Sequence, residues 1–228
     1  MFASVFSAAI SGMEVHLIKV EADVSDGLPS FTMVGLPSTQ VKEAQDRVRT
    51  ALKNNGIALP PKRITVNLAP ADIRKEGAGF DLPLAAAVLA AAGVLSAAQL
   101  GNVMMAGEIG LNGEIHAVSG ILPMIIRARE EKCRFCVVPY DNLREAHLIP
   151  DMKVIGVSNL QEMIRYVGAP DSYKKAVETK RKEKQENAVD FCEIHGQESL
   201  KRAVEIAVSG FHNLLMIGPP GAGKTMIA

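Results

Sequence analysis

The sequence predicts an α/β protein in two parts: a large N-terminal α/β (α+β) domain, then the opening of a second α/β domain. Three observations predict it. Short β-type segments alternate with amphipathic helical patterns from Ala3 to Tyr166. One helical segment, Leu82 to Ala92, is apolar on every side, which marks a helix buried at the centre of a domain. After a polar stretch, Asn213-Leu214-Leu215-Met216-Ile217 reads as a buried strand leading into Gly218-Pro219-Pro220-Gly221-Ala222-Gly223-Lys224-Thr225.

Ala3–Ile10 and Met13–Val24 are predicted strands, with Ser11-Gly12 as the turn of a hairpin. Val15, Ile18, Val20, Ala22 and Val24 alternate along the second, an alternation that Leu17 interrupts. Phe31–Val34 adds a short strand after Asp26-Gly27-Leu28-Pro29. Ser38 or Thr39 caps a helix to about Asn55, with Val41, Ala44, Val48, Ala51 and Leu52 as its apolar stripe. Its charges, Arg47 among them, read as a solvated face, and Asn54-Asn55-Gly56 ends it through a left-handed residue. Arg63–Ala69 is the next strand. Asp81 is placed to cap the buried helix, with Pro83 in its first turn and Gly93 after its end.

Asn112-Gly113 predicts a two-residue hairpin pairing Leu111 with Glu114, Gly110 with Ile115 and Ile109 with His116. A helix over Ser119–Lys132, a strand over Phe135–Val138 and a short helix from Asp141 to His147 follow. Lys153–Val157 is a strand, and Ser158-Asn159-Leu160-Gln161 is a capping box opening a helix to Tyr166. At Gly168-Ala169-Pro170 the chain turns polar and charged. These breaks divide it into residues 1–168, a charged linker at 169–188, and residues 189–228. Leu200, Ala203, Val204, Ala207 and Val208 give a helical stripe in the last part.

Composition narrows the function classes. Of 228 residues, 48% are hydrophobic and 22% charged, as in ordinary globular proteins. Lys+Arg and Asp+Glu are both 25, so no basic excess announces a nucleic-acid surface, although a local patch stays open. Met1-Phe2-Ala3-Ser4 lacks the charged opening of a secretory signal, and the run Leu82–Leu95 is short for a bilayer span. A cytoplasmic location is expected. Cys133-Arg134-Phe135-Cys136 has no second pair to complete a zinc site and lies where a helix passes into a strand, so buried structural cysteines are expected. His16, His116, His147, His195 and His212 show no metal-ligand spacing.

The G-x-x-x-x-G-K-T spacing is that of a phosphate-binding loop. Pro219 and Pro220 have no N–H, so the donors toward a phosphate come from Gly221 through Thr225. Lys224 then reaches the β and γ phosphates of ATP, and the Thr225 hydroxyl ligates Mg²⁺. In the N-terminal part, Arg74-Lys75-Glu76-Gly77-Ala78-Gly79 sets two cations beside flexible main chain. Arg74, Lys75, Gly77 and Gly79 are therefore candidates for a DNA or partner contact, with an ordinary exposed connector as the alternative.

Asp190-Phe191, Ile194-His195-Gly196-Gln197, Ala203-Val204-Glu205-Ile206-Ala207 and His212-Asn213-Leu214-Leu215, with the loop after them, resemble the start of an AAA+ module of the magnesium-chelatase subunit I type. Val34-Gly35-Leu36-Pro37, Val66-Asn67-Leu68-Ala69-Pro70-Ala71 and Gly77-Ala78-Gly79-Phe80-Asp81-Leu82-Pro83 resemble the N-terminal domain of YifB/ComM-type Mg-chelatase-like ATPases. The resemblance implies a cytosolic bacterial ATPase, truncated here after its phosphate loop, whose full-length form assembles as a homo-oligomeric ring, a hexamer. It implies Gly196 and Gln197 near the adenine and, for the ComM branch, ATP-driven branch migration of DNA. A remodelling ATPase acting on a protein or metallocofactor, or an N-terminal domain serving only oligomerisation and interaction, are the competing expectations.

The N-terminal part also resembles the proteolytic domain of Lon, a fold shared with the second domain of ribosomal protein S5. Lon uses a serine and a lysine. Residues 74–95 here contain no serine, residues 107–126 contain no lysine, and Leu122 stands about where the amine is expected. The fold is thus expected without the peptidase.

Overall fold

A computed structural model describes residues 1–173, 194–219 and 223–227. The chain divides into two compact units, Met1–Lys175 and Ala176–Ala228.

The N-terminal unit begins with a long hairpin, β1 (Phe2–Ser11) against β2 (Glu14–Ser25). Ser11 pairs with Glu14, so the turn is Gly12-Met13, one residue later than expected. Ile18, Val20, Ala22 and Val24 are buried on one face of β2. Leu17 and Val15 are partly buried on the other, against a second apolar cluster, so Leu17 breaks the alternation because both faces are covered there.

β3 (Ser30–Val34), α1 (Thr39–Asn54) and β4 (Arg63–Ala69) form a parallel crossover unit. The Ser38 hydroxyl accepts from the Val41 N–H, and Val41, Ala44, Val48, Ala51 and Leu52 are all buried. Gly35 lets the chain pass closely over β4: at φ +96°, a Cβ there would stand 2.2 Å from the Leu68 carbonyl oxygen.

A short 3₁₀ turn, Ala78–Phe80, enters α2 (Asp81–Ala91), every residue of which is buried. The capping position is Phe80, not Asp81 as the sequence suggests. The Asp81 side chain instead turns to Arg47 and the Ile109 N–H. α3 (Ala97–Leu100), unanticipated, follows with a capping box between Ser96 and Gln99.

β5 (Val103–Met105), β8 (Phe135–Pro139) and β9 (Val154–Val157) extend the sheet in parallel from β1, giving the order β3-β4-β2-β1-β5-β8-β9. Between them β6 (Glu108–Ile109) and β7 (Ile115–His116) make a separate hairpin. Its register is one residue from expectation: Ile109 pairs with Ile115 and Glu108 with His116. Gly110 N–H bonds to the Glu114 carbonyl, enclosing a three-residue loop with Gly113 at φ +87°. A type I turn closed by a left-handed glycine is the usual three-residue solution. Asn55 and Asn54 of the α1 terminus donate to the Asn112 and Leu111 carbonyls, which holds that loop down.

α4 (Ile121–Glu130) starts after left-handed Gly120, and α5 (Leu143–Ala146) follows β8. α6 (Leu160–Gly168) is capped by Asn159, while the Glu162 carboxylate accepts from the Ser158 N–H. The box is thus shifted by one from the expected Ser158–Gln161 pair. The larger core joins Val20, Leu52, Leu68, Leu84, Val137 and Met163; a smaller one on the other face joins Met104, Ile121, Ile125, Cys136 and Leu143. The unit is mixed α/β with a mostly parallel sheet.

In the second unit α7 (Glu198–Ser209) and α8 (Lys224–Ile227) are helical. Residues 212–219 form no strand, against expectation. A strand is defined by pairing, and among the described residues this unit offers no second strand. Leu215 and Ile217 accordingly stand 83% and 88% exposed. No described helix is long and apolar enough to cross a membrane.

Candidate functional site

Lys224, the first residue of α8, reaches back to the main chain of Gly218 and Pro219. Lys224 Nζ donates to the Gly218 carbonyl at 2.8 Å and the Pro219 carbonyl at 2.7 Å. Gly223 adopts φ +75°, and a Cβ built on it would lie 3.4 Å from Gln197 Nε2. The Gly196-Gln197 turn, with both residues at positive φ, therefore borders the point where the loop becomes helix. Ile194, Val204 and Ile227 form a small buried cluster beneath, which ties α7 to α8. Gln197 and Gly223, distant in sequence, are thus neighbours in this unit. Gly221 and Ala222 lie outside the described residues, as does the Thr225 side chain.

The Arg74–Gly79 segment departs from its expected role. Lys75 is fully buried, and its ammonium donates to the carbonyls of Gly35, at 2.8 Å, and Pro70. Its main chain bonds Leu36 and Ser38, so this lysine joins the segment before α1 to the end of β4. Burial lowers its ammonium below the ordinary lysine range. It is a structural post and is not presented to DNA. Arg74 is exposed and faces Glu76 at 2.9 Å, leaving the exposed part of the segment without a free positive charge. Gly77 and Gly79 border a cavity of about 320 Å³ whose charged lining is Glu76 and Glu108, a poor match for phosphate. The sequence showed two adjacent cations; it did not show that one points inward.

Sequence reading missed an ion pair between half-buried Arg47 and fully buried Asp81. Arg47 Nε and Nη2 reach the two Asp81 oxygens at 2.8 and 2.9 Å, and Asp81 also accepts from the Ile109 N–H at 3.2 Å. Arg47 is thus not part of a solvated face. Burial pushes the Asp81 carboxyl above its ordinary range, though Arg47 and the Ile109 amide pull it back; the same pair raises the Arg47 guanidinium. The signal available was an Asp opening an otherwise wholly apolar helix. The pair fixes α1, α2 and the β6 hairpin about one point. Cys133 and Cys136 are buried, and burial raises both thiols, consistent with a structural role.

Residues 20–142 match the family model for subunit ChlI of Mg-chelatase, and residues 190–228 match the model for Mg-chelatase subunit ChlI. Competence protein ComM of Haemophilus influenzae is 42% identical over 230 residues, covering 99% of this chain and 45% of that protein. The YifB proteins of Escherichia coli and Salmonella typhimurium are 41% and 40% identical, covering 98% and 99% of this chain and 44% of each relative. The chain therefore spans a little under half the length of these relatives. Val34-Gly35-Leu36-Pro37 and Val66–Ala71 lie inside the first matched region, and in the structure Gly35 rests on Leu68. With the match running through both units, the chain belongs to the Mg-chelatase subunit ChlI family, in its YifB/ComM-type branch.

Proposed function

We propose that this chain carries the ATP- and Mg²⁺-binding loop of an AAA+ motor that, in its full-length form, assembles as a ring and works on DNA. The observation that carries the reading is the Gly218–Lys224 loop with the Gly196-Gln197 turn against its helix start. The residues present fit a nucleotide. The Lys224 ammonium rests on two neutral main-chain carbonyls, acceptors that charged phosphate oxygens outcompete. Lys224 would neutralise charge on the β and γ phosphates, Gly223 and its neighbours would supply main-chain N–H donors, and Thr225 would ligate Mg²⁺. Gly196 and Gln197 would border the base. Bound Mg²⁺–ATP supplies the phosphoanhydride bond whose hydrolysis drives such motors.

The DNA part of the reading rests on likeness to a protein named for competence. It no longer draws on Lys75. The N-terminal unit is read as a Lon-like, S5-domain-2-like scaffold without the Ser–Lys pair. A second reading, an ATPase that remodels a protein or metallocofactor, is favoured by the Mg-chelatase description of both matching families. Titration of forked and four-way DNA into the full-length protein separates the two. A DNA motor binds with an affinity that falls steeply as salt rises, because phosphate contacts release counterions. Absence of DNA binding at low salt, with ATP hydrolysis intact and abolished by Lys224→Ala, supports the second reading.

A further inference from the structure

β3 is one of the two edge strands of the sheet, paired with β4 on one side only. In a parallel pair, alternate residues turn their N–H and C=O groups away from the partner. No loop or cap hydrogen bond among the described residues takes up the main chain of residues 30–34. Edges left this way are normally closed by lysine, proline, a bulge or a covering segment. Ser30-Phe31-Thr32-Met33-Val34 contains no charge or proline, and Ser30, Thr32 and Val34 are exposed.

Beside this edge, between β3 and the second half of α1, lies a cavity of about 330 Å³. Phe31, Ile57, Leu59 and Ile64 give it an apolar lining, and Arg49 and Lys53, both exposed and one turn apart on α1, complete it. Neither cation has an ion pair or a side-chain hydrogen bond among the described residues. A third lining cation, Lys62, is met by Asp26 at 2.9 Å. An apolar hollow, two uncompensated cations and an unpaired strand edge thus share one end of the unit.

From this juxtaposition we infer that the β3 edge is a docking site for an extended polypeptide segment of a partner protein. The segment adds main-chain hydrogen bonds to β3, places one apolar side chain in the hollow and directs an acidic residue to Arg49 and Lys53. Main-chain pairing supplies affinity and the hollow with its cations supplies selectivity, as in other strand-addition sites. A nucleic acid would meet too few cations, Arg49 and Lys53, beside a largely apolar hollow. This site does not depend on the nucleotide loop.

The test is selection of phage-displayed random peptides of about twelve residues on the whole chain. The charge-reversed variant Arg49→Glu/Lys53→Glu serves for counter-selection. The expected result is enrichment of sequences with an apolar residue flanked by Asp or Glu. The best peptide, made synthetically, should lose about tenfold or more in affinity on the charge-reversed variant, and about threefold on Arg49→Gln/Lys53→Gln, which keeps the inference testable if the reversed variant folds poorly. The bound peptide should also slow amide exchange in residues 30–34. No enrichment, equal binding to the variants, or protection confined to residues 57–62 without β3 would overturn the proposal. The last pattern would mean an acid entering the hollow without adding a strand.

Discussion

Losing the guanidinium beside a carboxylate costs little on a helix surface and much where the carboxylate has no access to water. Arg47 and Asp81 are the second kind. Removing the arginine leaves a buried charge, so Arg47→Ala is expected to lower stability by about 3–5 kcal/mol, roughly 10 °C in Tm for a unit of this size. The sign of the pH dependence follows from Asp81. Burial already raises its carboxyl, so its contribution to stability is complete below the unfolded value and declines as pH rises through the folded value. Without Arg47 that rise grows. The deficit of Arg47→Ala is therefore smallest under acid conditions, where the carboxyl is protonated, and larger at neutral pH. Melting curves of both proteins across that range check it; a deficit independent of pH would assign the loss to packing alone. The two neighbours in the Arg74–Gly79 segment should likewise part company. Lys75→Met strands two carbonyls and is expected to cost about 1–3 kcal/mol, whereas Arg74→Ala, on an exposed pair, should stay within about 0.5 kcal/mol. Equal melting points for the two variants would contradict the buried placement of Lys75.

Among the elements, those with a strong period were legible and those defined by partners were not. The α1 stripe and the β4 limits follow from spacing alone, because local preference and burial agree there. The β6–β7 hairpin was displaced by one residue because Asn-Gly serves both two-residue and three-residue loops, and the α1 asparagines favour the longer one. The α6 cap moved for a similar reason: Asn159 caps better than Ser158 once Glu162 can close on the preceding N–H. Capping is the commonest use of an Asp at a helix start, and nothing local reveals the Asp81 partner 34 residues away. Before the Gly218–Thr225 loop, the missing strand shows that an apolar run needs neighbours to pair. Gly35 tests the element-level packing directly. Gly35→Ala meets both a positive φ and the Leu68 carbonyl, and is expected to destabilise by about 2 kcal/mol or more. Gly56→Ala, with positive φ but open space, should cost less. Urea unfolding of the two variants distinguishes clash from backbone strain; equal costs would mean Gly35 is not a contact point.

At the scale of the whole molecule the two units differ in build: one has an all-round buried helix against a seven-stranded sheet, the other the G-x-x-x-x-G-K-T loop with little core among its described residues. The polar stretch that follows Tyr173 in sequence carries Lys174, Lys175, Lys180, Arg181, Lys182 and Lys184. Brief trypsin treatment is expected to cut there and leave residues 1–173 as a resistant core; early cleavage at Arg127 or Arg129 would contradict an independently folded unit. The central claim is that the Gly218–Thr225 loop is a nucleotide site, and calorimetric titration of Mg²⁺–ATP into the whole chain tests it most directly. Saturable binding to the native chain that falls by about tenfold or more in Lys224→Ala, with both proteins equally folded, is the predicted result. Equal heats from the two proteins, whether both bind or neither does, would contradict it.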